Sequence, residues 1–100
     1  MSSFKLTNKA KSDLVKIAKY TEATWGREQR NLYLKEFDNA FHLILNKPLI
    51  GKECDYIKIH YRKFPQGSHI IFYKKADKSN IEIIRILHKN MDVPSKFSKS

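Results

Sequence analysis

The residues able to do chemistry lie in two stretches of the second half of the chain. The first is Tyr61-Arg62-Lys63-Phe64-Pro65-Gln66-Gly67-Ser68-His69-Ile70-Ile71-Phe72-Tyr73; the second is Arg85-Ile86-Leu87-His88-Lys89-Asn90-Met91-Asp92. Imidazole titrates near neutral pH, so His88 can move a proton or make a binding contact. The plainer reading is a ring that hydrogen-bonds nearby backbone and fixes the tail. Arg85 interrupts an apolar run, and a cation there must be paired or stand at a functional edge. Its candidate ionic partners are Asp92 and Asp55. His69 follows a turn and reads as packing or capping; His60 and His42 are weaker candidates, with His42 at a surface or rim. Tyr61, Phe64, Phe72 and Tyr73 alternate with Arg62, Lys63, Lys74 and Lys75. Such a pattern can stack on bases and hold phosphates, but aromatics on strands also make core and cross-strand pairs. Phe64 and Phe72 are read as core. Four histidines and one cysteine at these separations match no metal signature, so no metal and no cofactor are expected. Cys54 reads as a small inert hydrophobe rather than a nucleophile.

One hundred residues suit a single domain, 1–100, with a tail from about 90. The hydrophobic share of 41% fits a globular chain, and no apolar run approaches the ~20 residues that span a bilayer. With no apolar leader and a lone cysteine, a reducing, cytoplasmic setting is expected, with no membrane partner. The net charge is +10 and uneven. Residues 1–55 hold ten Lys/Arg against seven Asp/Glu (net +3), and residues 56–100 hold ten against three (net +7). That excess favours an anionic partner: nucleic acid, a nucleoprotein or an acidic protein segment.

The elements that must position these residues follow from periodicity. Phe4-Lys5-Leu6 alternates as a short strand, and Thr7 suits a helix N-cap. Ala10, Leu14, Ile17, Ala18 and Thr21 or Trp25 then recur at helical spacing, with Lys9, Lys11, Asp13, Lys16, Lys19 and Glu22 mostly on the other side. Gly26 should end this helix in a left-handed conformation. A second helix from Arg27 carries Tyr33, Leu34, Phe37, Ala40, Phe41, Ile44 and Leu45 as its apolar stripe and stops before Pro48. Residues 49–55 read as a connector, and 57–64, 69–75 and 81–87 as strands. Pro65 to Ser68 and Asp77 to Asn80 mark turns. Pro94 can open a short helical turn through Phe97. The order β-α-α-β-β-β describes an α+β domain: an antiparallel sheet with a two-helix antiparallel hairpin on one face.

Several pieces stand in a characteristic order: Leu6-Thr7 before the first helix; Trp25-Gly26 with Gln29 and Tyr33; Gly51 to Asp55; the Tyr61 to Tyr73 stretch; and Arg85-Ile86-Leu87-His88 with Met91-Asp92. In these the sequence resembles ParE-type toxins of bacterial type II toxin–antitoxin modules, within the RelE/ParE superfamily. The resemblance covers nearly the whole chain. It implies a toxin that poisons DNA gyrase, through its A subunit, by binding rather than by its own catalysis. It also implies a cognate ParD-like antitoxin whose C-terminal segment wraps the toxin, in a simple pair or a larger hetero-oligomer.

Sister branches of the superfamily are ribosome-dependent messenger RNA endoribonucleases, which need a base near the 2′-hydroxyl and cations around the phosphate. If this chain cleaved RNA, Arg62, Lys63 and Arg85 would supply cations, and His60, His69 or His88 the proton-transfer group, with Arg62, Arg85 and His88 the principal set. No tyrosine follows Tyr73, however, and Phe97 is the only aromatic in the tail. The expected target-binding surface is Arg62, Lys63, Arg85, His88, Lys89, Met91 and Phe97. The candidate antitoxin sites are an exposed edge strand and the groove between sheet and helices.

Overall fold

The computed structural model describes residues 3–91. Phe97 and Asp92 lie outside the described residues, as does the short helical turn expected at 94–97. The elements are β1 (Ser3–Leu6), α1 (Asn8–Trp25), α2 (Arg27–Asn46), β2 (Lys52–Glu53), β3 (Arg62–Gln66), β4 (His69–Lys75) and β5 (Asn80–His88). One sheet runs in the order β1-β5-β4-β3-β2. It is mixed: β1 pairs with β5 in parallel, and the other neighbours are antiparallel. β5 is therefore interior, as its near-continuous Ile81-Glu82-Ile83-Ile84 run anticipates.

Thr7 caps α1, its Oγ1 accepting from Ala10 N–H at 3.0 Å. Gly26 alone joins the helices, and its φ of 96° is positive as expected, but its ψ of 171° is extended rather than left-handed helical. The Glu22–Arg30 ion pair crosses this joint. Trp25 does not join the buried stripe: it is 70% exposed, and Thr21 takes the buried position. Asp13 also departs from expectation, being buried on the sheet side of α1.

The helix side of the sheet holds Phe37, Phe41, Ile44, Ile71, Tyr73, Ile81, Ile83 and Ile86 as one apolar core. A smaller cluster of Cys54, Tyr61, Phe72 and Leu87 fills the other face. That second cluster explains the one misplaced strand. Residues 57–60 alternate like a strand, yet they form turns, with Ile57 N–H donating to the Cys54 carbonyl at 2.9 Å. His60 adopts φ 74°, and its N–H is held by Asp55 Oδ1 at 3.2 Å. The segment folds back to cover Phe72 and Leu87, and burial outweighs local strand preference.

β3 consequently starts at Arg62 and runs through Pro65, which had read as part of the turn. β2 reaches only Lys63, so Pro65 lies on an unpaired margin where its missing N–H costs nothing. The hairpin loop is just Gly67-Ser68, since Gln66 pairs with His69. Gly67 has φ 59° and Ser68 is not in the positive region, the pattern of a type II′ turn with glycine first.

A register shift at Phe72/Tyr73 places a bulge in β5. Ile83 and Ile86 both reach the helix-side core although three residues apart, which strict alternation forbids. Beyond Leu6, α1 replaces β1 along the β5 edge. The Ile84 carbonyl accepts from Thr7 Oγ1 at 2.7 Å, and Ile86 N–H donates to Asp13 Oδ2 at 2.9 Å.

Candidate functional site

The sequence candidates separate into three places. Arg85 lies at the bulge and is bound by Asp13 in a fork: Nε to Oδ2 at 2.8 Å and Nη2 to Oδ1 at 3.0 Å. Of the two expected partners, Asp55 instead holds the loop at His60, and Asp92 lies outside the described residues. The pair strongly favours the charged guanidinium and pushes its pKa up.

Arg62 works on the connector. Its Nη1 donates to the Gly51 carbonyl at 2.8 Å, and its Nη2 lies 3.3 Å from Glu53 Oε1. Lys63 Nζ reaches the Tyr56 hydroxyl at 3.1 Å. Tyr73, buried beneath, accepts from Gly51 N–H at 2.8 Å and donates to the Pro48 carbonyl at 2.8 Å. This tyrosine and Arg62 together fix the path from α2 into β2.

His88, Lys89 and Met91 gather at the hairpin end of the sheet. His88 Nδ1 accepts from Asn90 N–H at 3.1 Å, which assigns the ring proton of the neutral form to Nε2. Its ring meets that of His69 edge to face, centroids 5.4 Å apart. Lys89 is exposed, while its N–H donates to the Ser68 carbonyl at 2.9 Å. Beside them a groove of about 870 Å³ opens between α1, α2 and the hairpin, lined by residues that include Lys16, Tyr20, Trp25, Tyr33, His69 and Met91 as well as His88.

Tyr33, which the sequence offers as part of the helix stripe and of the helix junction but not as a site residue, is the hub of this end. Its oxygen accepts from Ser68 N–H at 3.1 Å and its hydroxyl lies 2.7 Å from His69 Nδ1, with the Gln66 carbonyl farther away at 3.3 Å. The hydroxyl thus ties the Ser68 amide, the His69 ring and the Gln66 carbonyl to α2. Burial pushes the Tyr33 pKa up, against the Ser68 bond. Burial, then the neighbouring His88, pushes that of His69 down.

The unfolded chain takes up the His69 proton first, near pH 6.5, so this residue's contribution is complete above that pH and is lost as pH falls through the lower folded value. Urea titrations from about pH 7.5 to about pH 5 should show wild type losing more stability than His69→Gln. Parallel losses would remove His69 as the source.

The family model for the ParE toxin of the type II toxin–antitoxin system, parDE, matches residues 4–93. The chain belongs to the ParE toxin family. It is 37% identical over 92 residues to Toxin ParE1 of Mycobacterium tuberculosis (strain ATCC 25618 / H37Rv), covering 92% of this chain and 94% of that one. Toxin ParE1 of Caulobacter vibrioides (strain ATCC 19089 / CIP 103742 / CB 15) is 35% identical over 92 residues, with the same coverage. A solved chain described as "Chromosomal ParDE TA system from P. aeruginosa" superposes with a TM-score of 0.73 at 19% identity, covering 88% of this chain and 96% of that chain. The two helices on a five-stranded sheet are thus a ParE-like fold. Within this ParE-family chain, Lys16, Tyr20 and Trp25 were not singled out from the sequence as site residues. The available signal was Tyr20, a large aromatic outside the apolar stripe of α1; Trp25 shares the spacing of the stripe itself.

Proposed function

We propose that this ParE-family toxin poisons DNA gyrase by binding, acts in the cytoplasm, and is neutralised by a ParD-like antitoxin. The observation that carries the reading is the ParE family match across residues 4–93. The placement of the cations supports binding over catalysis. Arg85 is committed to Asp13 and Arg62 to the Gly51 carbonyl. Arg62 pairs with Tyr73 and His88 with His69, four residues apart along β4, or roughly 13 Å at the ~3.3 Å rise of a strand. The end formed by half-buried His88 with exposed Lys89 and Met91 is the proposed gyrase-contacting surface.

The groove is proposed for the antitoxin. Its walls combine apolar surface from Ile17, Tyr20 and Trp25 with the Lys16 ammonium and the His88 N–H. This suits an amphipathic segment carrying a carboxylate.

The test is a cleavage assay with purified toxin, gyrase, ATP and plasmid, quenched with detergent and protease. Linear DNA should accumulate and disappear when antitoxin is added. Lys89→Glu should lower potency about tenfold, as loss of an interface charge commonly does, without moving the unfolding midpoint. Normal supercoiling at high toxin excess would overturn the gyrase reading and direct attention to translating ribosomes.

A further inference from the structure

At the sheet end opposite His88, a second cavity of about 440 Å³ opens between the connector and the end of β4. Lys58, His60, Arg62, Lys74 and Lys75 line it, together with Glu53 and Asp55. Both carboxylates are occupied: Glu53 faces Arg62, and Asp55 holds the His60 amide. Lys74 has only a long contact to Glu82, at 3.7 Å. Among the described residues neither Lys58 nor Lys75 enters an ion pair. Lys58 and Lys75 are exposed; Lys58 Nζ lies over the Tyr61 ring, 6.0 Å from its centroid, which leaves its charge unneutralised, so both ammonium groups can take an anion.

The cationic character continues around the same connector. Lys52 and Lys63 are direct cross-strand partners, an arrangement of like charges that costs stability. Lys63 also sits 5.6 Å from the centroid of Tyr56, and Tyr56 and Ile59 are 69% and 67% exposed. Cations around a cavity, two of them outside any ion pair, with exposed Ile59 in the wall and exposed Tyr56 on the turn between the lining residues Asp55 and Lys58, match what a polynucleotide offers: spaced phosphates and flat bases. An acidic peptide would use the cations but leave Tyr56 and Ile59 without a stacking partner.

We propose that this cavity is a phosphodiester-binding site for a nucleic-acid strand, with Lys58, Lys74 and Lys75 taking the phosphates and Tyr56 taking a base. It goes beyond the gyrase reading and does not depend on it, because the site acts on the toxin alone.

The test is fluorescence anisotropy of the full chain with labelled strands of about 20 nucleotides: single-stranded DNA, duplex DNA and RNA, across roughly 50 to 200 mM salt. The chain should bind without gyrase or antitoxin. Lys58→Glu/Lys75→Glu should weaken binding at least about tenfold at low salt. It should also reduce the salt slope by about 1.4 for single strands or about 1.8 for duplex, the values for two lost phosphate contacts. The control Lys11→Glu/Lys35→Glu, on exposed helix positions, changes net charge equally and should leave the slope near wild type. Matching unfolding midpoints for both variants separate site loss from misfolding. Preference for single strands, lost in Tyr56→Ala, assigns the stacking role, and comparison of RNA with DNA identifies the source of the strand. Absence of binding at low salt, equal losses in the control pair, or competition by polyglutamate as strong as by polynucleotide would each overturn the proposal.

Discussion

Asp13→Ala should lower unfolding stability by about 3 kcal/mol, because it strips a partly buried guanidinium of its partner and a backbone amide of its acceptor. In the folded protein the carboxylate receives Arg85 Nε, Arg85 Nη2 and Ile86 N–H. The side chains are 17% and 9% exposed for Arg85 and Asp13, so the orphaned arginine can still turn partly to water. That places the cost at the lower end of the ~3–5 kcal/mol known for broken buried pairs. Urea unfolding reads the loss directly. Asp13→Ala/Arg85→Met should recover part of it, since no uncompensated charge remains. A loss below about 1 kcal/mol would mean that the pair does not hold α1 against β5.

This pair also shows what the sequence could and could not disclose. Ala10, Asp13, Leu14 and Ile17 share one helical spacing, so Asp13 stands within the apolar stripe. An acid in the apolar sector of a helix and a cation in an apolar strand are complementary anomalies. Arg85 stood out alone, whereas Asp13 was grouped with the charged side of α1, and joining positions 13 and 85 requires knowing that α1 lies over the β5 bulge. Helix limits, the Thr7 cap and the strands at 69–75 and 81–87 were legible because periodicity and capping are local. The 54–61 segment was not, because its conformation is decided by the face of the sheet it must cover. The site divided in the same way. His88, Lys89 and Met91 were legible as a group, being nearly contiguous. The groove was not, because Tyr20 and Trp25 come from α1 and Tyr33 from α2.

Gly51→Ala should be comparably damaging, by about 3 kcal/mol, or a midpoint lowered by roughly 15 °C for a domain of this size. A Cβ at Gly51 would lie 2.5 Å from the Tyr73 hydroxyl, 2.7 Å from its Cε1 and 2.8 Å from the Lys63 carbonyl oxygen. The first two contacts belong to a fully buried ring, and the third to strand backbone. Moving the ring would also break the bonds to Gly51 N–H and the Pro48 carbonyl. Thermal unfolding of Gly51→Ala, Tyr73→Phe and the double variant separates these causes. Removing the hydroxyl should not rescue the alanine, because the Lys63 carbonyl remains in place. Full rescue in the double variant would assign the whole cost to the hydroxyl.

Pro65 has a consequence for how copies of this chain meet one another. Gln66 and His69 flank a two-residue loop, so by the alternation of antiparallel ladders the Pro65 nitrogen points away from β4. It faces the margin that β2 leaves bare. A strand approaching there finds a ring where it needs a donor. The opposite margin, β1, is four residues long and carries Lys5. Neither flank is a long, flat template for stacking sheets edge to edge, so the fold itself discourages fibrous self-assembly.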